Sequence, residues 1–214
     1  MRVYHFLSAK NALDDLTRRQ IRLSKIHELN DPFELWCFAQ DDRRIREALR
    51  RLKKKATQDY GMLCFSRRWH NPVLWSHYSD KHQGICLGFE VDEQILRPVR
   101  YVKRRVPLQI PPSEATMEQL LYTKYRDWCY EEELRTWHRL EECDATGQYF
   151  YSFDKKIQLR VVIAGPLCMT PKATIDEAVK DYGCVPRIIK ARLAFTTFQV
   201  VENRQGFRRL ASKG

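Results

Sequence analysis

No stretch of the chain offers the roughly 18 consecutive apolar residues that a membrane-crossing helix needs, so no such helix is expected. Glycine is scarce, with eight in 214 residues. None of the eight falls into GxGxxG, GxxxxGKS, GxxxxGKT or GxSxG, which removes support for a Rossmann site, a P-loop or a nucleophile elbow. The seven cysteines include no CxxC pair. An odd set of thiols without that spacing argues against a disulfide scaffold and for a reducing compartment, the cytoplasm. HExxH is absent, and His70, His77, His82 and Cys86 do not match a zinc spacing, so no metal is expected. There is no repeat, linker or break in composition. One domain over residues 1–204 with a frayed tail at 205–214 is the expectation. The opening MRVYHFLSAKNALDDL has no continuous apolar segment and reads as the start of a fold, not an export signal.

The chain is 43% hydrophobic and 12% aromatic, enough for a complete core at this length. Lys and Arg outnumber Asp and Glu by 38 to 27, a net charge of +11. Such a balance favours an anionic partner: nucleic acid, nucleotide or a phosphate-bearing cofactor. RRIREALRRLKKK (43–55) carries eight basic residues and RPVRYVKRR (97–105) five more. Ile45, Leu49 and Leu52 give the first segment a helical stripe, so it can bury one face and offer the other to phosphates. DNA or RNA on these two segments is the expected macromolecular contact, and no membrane is.

Periodicity and turn residues give a coarse order. VYHFL (3–7) alternates as a strand, and Ser8 caps a helix on Ala12, Leu13 and Leu16. IRLS (21–24) is a short strand, NDP (30–32) a loop, and about 41–57 the basic helix. YGMLCFSR (60–67) and GICLGFEV (84–91) are apolar strands flanking a helix begun by Pro72. VRYVKR is a further strand. SEATMEQLLYTKYRDW (113–128) is predicted as one helix capped by Ser113. QLRVVIAG (158–165) is a buried strand, PKATIDEAVKDYG (171–183) a helix closed by Gly183, and PRIIKARLAF and TTFQVV complete the sheet. The expected class is α/β (α+β): one domain with a mixed, split or continuous sheet and flanking helices.

Three stretches could carry chemistry. WCYEEELRTW (128–137) puts three glutamates among aromatics in a basic chain. As a strand, its period of two places Glu131, Glu133 and Arg135 on one face. That face could be an internal ion-paired surface, or it could line a cleft, hold a ribose and stabilise positive charge at an anomeric carbon. As a continued helix the three carboxylates would fan apart. In NPVLWSHYSD, Trp75, Ser76, His77 and Tyr78 crowd a helix end; they suit a core, or a stacked heterocycle with a hydrogen bond from Ser76 or His77. His5, in the first strand, is either a core histidine or a ligand contact.

Taken together, VYHFLSAKNALDDLTRRQIRLSKIHELNDPFE, GMLCFSRRWHNPVLWSHYSDKHQGICLGFEV, YEEELR and LRVVIAGPLCM resemble a bacterial family known as domain of unknown function 2971. Its middle pattern runs CFS, NPLMWSHYA, HKGICLGFE. The order of parts is also similar to the ADP-ribosyltransferase superfamily, with its toxins and phage-defence proteins. That resemblance implies an ADP-ribosyltransferase-like fold and an NAD-dependent transfer to a macromolecule, with NAD consumed as substrate. It implies Glu133 as the catalytic carboxylate, supported by Glu131. His5, Tyr78, Trp75, Ser76, Asn30, Asp31 and Arg135 would contact NAD, and Arg2, Arg67 and Arg68 could join in holding the pyrophosphate. A defence partner or antitoxin would accompany the toxin context. The alternatives are a non-catalytic basic module that binds nucleic acid and an NAD-independent nuclease-like toxin.

Overall fold

A computed structural model describes residues 1–108 and 113–207. Residues 208–214, most of the expected tail, lie outside the described residues. In chain order the elements are β1 (Arg2–Leu7), α1 (Ala9–Arg18), β2 (Gln20–Arg22), β3 (Ser24–Lys25), α2 (Arg43–Asp59) and β4 (Tyr60–Ser66). Then come α3 (Pro72–Tyr78), β5 (Ile85–Val91), β6 (Arg97–Pro98), β7 (Arg100–Val102), α4 (Glu114–Tyr122) and β8 (Thr123–Tyr125). The chain closes with β9 (Glu133–Arg139), β10 (Phe150–Ser152), β11 (Ile157–Ala164), α5 (Lys172–Val179), β12 (Arg187–Leu193) and β13 (Val200–Glu202). This is the expected mixed α/β class with mixed strand pairing. The chain contacts divide it into two compact units. No helix of the described residues is long and apolar enough to cross a membrane.

Unit 1 takes Met1–Ile21, Phe65–Asp92 and the chain from Ser152 onward. Its centre is β5, whose sequence ICLGFEV is buried at every position but Glu90. β5 pairs antiparallel with β1 (His5↔Leu87) and with β11 (Val162↔Leu87). β11 runs parallel to β12, and β12 antiparallel to β13. A strand covered on both faces needs a continuous apolar run, and that is what made β5 and β11 readable. Each large side chain buried here contributes about 1.5–3 kcal/mol. Gly84 is required by close approach: a Cβ there would lie 2.0 Å from the Leu7 carbonyl oxygen. Just before it, Asp80, Lys81 and His82 all have positive φ, so the segment linking α3 to β5 makes a tight left-handed turn.

Unit 2 takes Arg22–Cys64 and Glu93–Tyr151. β3 pairs with β4 (Ser24↔Met62), β4 neighbours β9, and β9 pairs with β6 (Arg97↔Arg135). The basic helix α2 forms as its pattern predicts, with Asp42 capping it by accepting from the Arg44 N–H. Leu49 and Ala56 of α2 join Ile26, Leu35, Phe38, Met62 and Leu120 in one apolar cluster.

Two helices end earlier than their periodicity predicts. α4 stops at Tyr122, because Thr123–Tyr125 is drawn into a parallel pairing with β7 (Arg100↔Thr123). α5 stops at Val179, and Gly183 is not left-handed, so it does not close the helix as a C′ glycine. The predicted strand VRYVKR contributes only Arg100–Val102.

Candidate functional site

The glutamates of YEEELR belong to unit 2 and face inward. A short 3-10 turn over Arg126–Glu131 precedes β9, so the strand begins at Glu133 and not at residue 131. Between the two stands Glu132 in left-handed backbone, φ 44°, a conformation unusual for a residue with a Cβ. That single reversed residue lets Glu131 and Glu133 reach the same cation although they lie in different elements. Lys124 Nζ donates to Glu131 Oε2 at 2.6 Å and to Glu133 Oε2 at 3.3 Å. Arg135 grips Glu133 with two prongs, Nε to Oε1 at 2.7 Å and Nη2 to Oε2 at 3.0 Å. Its Nη1 donates to Glu34 Oε1 at 2.6 Å and to the Leu121 carbonyl at 2.9 Å.

All five charged groups are buried, Arg135 to 1% exposure and Glu34 to 2%. Burial alone would push the Glu133 carboxyl upward. Arg135 and Lys124 outweigh it, with help from the Cys64 thiol, and hold Glu133 at about 2. For Lys124, burial would lower the ammonium's pKa, and the opposing pull of Glu133 and Glu131 raises it. The cluster is a set of ion pairs fixed in their charged forms. In this geometry Arg135 Nε, Nη1 and Nη2 all donate to protein acceptors.

The NDPFE turn sets the other wall. Asp31 Oδ1 accepts from the Phe33 N–H at 2.9 Å, and the Asp31 carbonyl accepts from Glu34 N–H at 3.0 Å. This turn sends Glu34 inward to Arg135 and leaves Phe33 59% exposed. A parallel bridge, Phe38↔Val106, carries 102–106 alongside 33–38. The result is a pocket of about 240 Å³ lined by Phe33, Trp36, Tyr125, Lys124 and the run Lys103–Arg105, with Cys37, Val102 and Thr123 completing it. Arg105 sits over the Phe33 ring at 5.6 Å and Lys53 over Trp36 at 5.2 Å. Burial raises the Cys37 thiol to about 11, so it lines the pocket as a neutral group.

The remaining expected contacts are distributed as follows. Asn30 is exposed beside the turn that Asp31 makes, and Asp31 itself is buried. His5, Trp75, Ser76 and Tyr78 belong to unit 1. Trp75 is fully buried, donates its indole N–H to the Trp69 carbonyl and meets Phe6 edge-on at 5.1 Å, so its ring is not open to a ligand. His5 meets the Phe65 ring at 5.9 Å. Tyr78 is half-buried at the end of α3, and Ser76 is exposed. Among the described residues no group of three His, Cys, Asp or Glu could hold a metal ion. Sequence reasoning missed Lys124, Glu34, Phe33, Trp36 and Tyr125. A lysine enclosed by TKYRDW aromatics was the available signal for Lys124, and periodicity absorbed it into a helix.

No protein-family model, curated protein or solved structure matches this chain.

Proposed function

We propose that unit 2 is a nucleotide-binding module, its pocket holding an aromatic heterocycle against Phe33, Trp36 and Tyr125 with an attached phosphate on Lys103–Arg105. The observation that supports it is the pairing of exposed aromatic faces with cations around one concave site. At about 240 Å³ the cavity falls just below the range of about 300–1,000 Å³ typical of drug-sized ligands. That favours a single base or nicotinamide ring inside and the charged remainder on the rim. In this reading the buried glutamates serve the frame: they neutralise Lys124 and Arg135 and fix the two strands that carry the pocket wall.

NAD-dependent ADP-ribosyl transfer is the second reading, and one observation favours it. Lys124 both lines the pocket and holds Glu131 and Glu133, so the carboxylates stand one side chain behind the ligand. Release of either from Lys124 would put a negative charge where a ribosyl cation forms. Domain of unknown function 2971, the toxin and phage-defence context and an antitoxin partner belong to this proposal as well.

Calorimetric titration with AMP and with NAD, paired with a nicotinamide-release assay, separates the readings. Binding of both ligands, weakened at least tenfold by Phe33→Ala and by Arg105→Ala, is the expected outcome. Nicotinamide release abolished by Glu133→Gln in a folded variant would favour the transferase. Absence of binding to either ligand would overturn the module.

A further inference from the structure

Resting on the nucleotide reading above, we propose that the natural ligand is one unstacked nucleotide of a single-stranded nucleic acid whose neighbouring phosphates run along α2. The pocket and the helix belong to the same unit and meet at one contact. Lys53, on α2, lays its ammonium over the Trp36 ring that lines the pocket and donates to the Glu34 carbonyl at 2.6 Å. From Lys53 the basic residues continue away at helical spacing. Arg43, Arg46, Arg50 and Lys53 are separated by three, four and three positions, so they share one side of the helix. This ridge borders the stripe of Ile45, Leu49, Leu52 and Ala56 that packs into the apolar cluster. At 1.5 Å per residue it extends about 15 Å from the pocket.

The remaining α2 cations widen the track. Arg51 and Lys54 are exposed, as is Arg50 of the ridge, and Glu47, paired with Arg43 at 2.9 Å, is the one acidic residue of the helix before Asp59. A free mononucleotide would engage the pocket and leave this ridge unused. A strand would use both, in the way single-strand binders combine an aromatic platform with a basic groove. The base enters because the wall is aromatic on several sides. A duplex keeps its bases stacked and could touch only the ridge.

The test is fluorescence anisotropy with a labelled ten-nucleotide oligothymidylate, a duplex of equal length, and thymidine monophosphate as competitor. Each is measured across a salt series for the unaltered protein and for the Arg50→Gln, Lys54→Gln double variant. Both substituted side chains are exposed and outside the pocket, and thermal melting checks that the fold is kept. The expected result is an oligonucleotide bound at least tenfold more tightly than the monophosphate. The double variant should lose about tenfold for the strand and nothing for the monophosphate, and its salt slope should fall by about 1.4, from about 0.7 per lost phosphate contact. A monophosphate bound as tightly as the strand overturns the inference and leaves the nucleotide module standing. A duplex bound as tightly as the single strand also overturns it. Failure of every probe to bind overturns both.

Discussion

Around β5, unit 1 buries Ile85, Cys86, Leu87 and Phe89, joined by the edge-on contact of Phe65 with Phe89. Around β9, unit 2 buries Glu131, Glu133, Arg135 and Lys124, joined by ion pairs of 2.6–3.3 Å. Both strands are seven residues long, β5 buried at all positions but one and β9 over its first four. Apolar contacts tolerate small shifts of position. Buried charges do not, because a displaced partner leaves a desolvated charge uncompensated. Unit 2 therefore fixes the direction of its side chains more strictly than a hydrophobic interior of the same size would. That strictness lies directly behind the wall holding Thr123, Lys124 and Tyr125.

The strongest break in this contrast is Arg135→Ala against Leu87→Ala. Loss of Arg135 strands Glu34, leaves Glu133 on Lys124 alone, and should cost about 3–5 kcal/mol, while Leu87→Ala should cost about 2–5 kcal/mol through a cavity. Denaturant unfolding gives the totals. Hydrogen exchange should place the first loss of protection in unit 2 and the second in unit 1; the reverse pattern would remove the contrast.

Acidification sharpens it. The Glu133 carboxyl is held at about 2 against an ordinary 4.5. Its contribution is complete above the unfolded value and drains away as pH falls from about 4.5 toward 2. Lys124, whose pKa is raised, contributes fully below its ordinary 10.5 and loses its share as pH climbs past that value. Exchange followed from pH 6 to pH 3 should see unit 2 loosen before unit 1, with the pH dependence flattened in Glu133→Gln. Equal loosening in both units would show that the ion pairs carry no special weight.

Smallest of all is the stability effect of Phe33→Ala, within about 0.5 kcal/mol, as expected for an exposed side chain. A melting curve that moves by more would make Phe33 part of the frame and weaken its assignment to ligand binding.

How far the sequence could be read follows the same division. β4, β5 and β11 are apolar runs, and α3 carries Pro72 at its start, all local signals. The shared direction of Glu133 and Arg135 followed from the two-residue period of a strand. Glu131 reaches the same cluster by another route, the left-handed Glu132, which no alternation predicts. The end of α4 was hidden because Leu121, Lys124 and Trp128 continue a plausible helical pattern, whereas the pairing of β8 with β7 is made by residues about twenty positions away. The pocket was hidden for the same reason: its walls come from residues 33–37, 102–105 and 123–125. None of these segments has a signature alone.

The order of segments along the chain bears on synthesis. Unit 2 is complete once Tyr151 has been made, whereas β5, at the centre of unit 1, waits for β11 more than sixty residues later. Domains form as their parts leave the ribosome, so the charged unit has every component in hand while Leu87 and Phe89 still lack one neighbouring strand. During that interval the apolar edge of β5 is exposed, and it is there that a nascent chain of this protein is most open to chaperones or to mispairing.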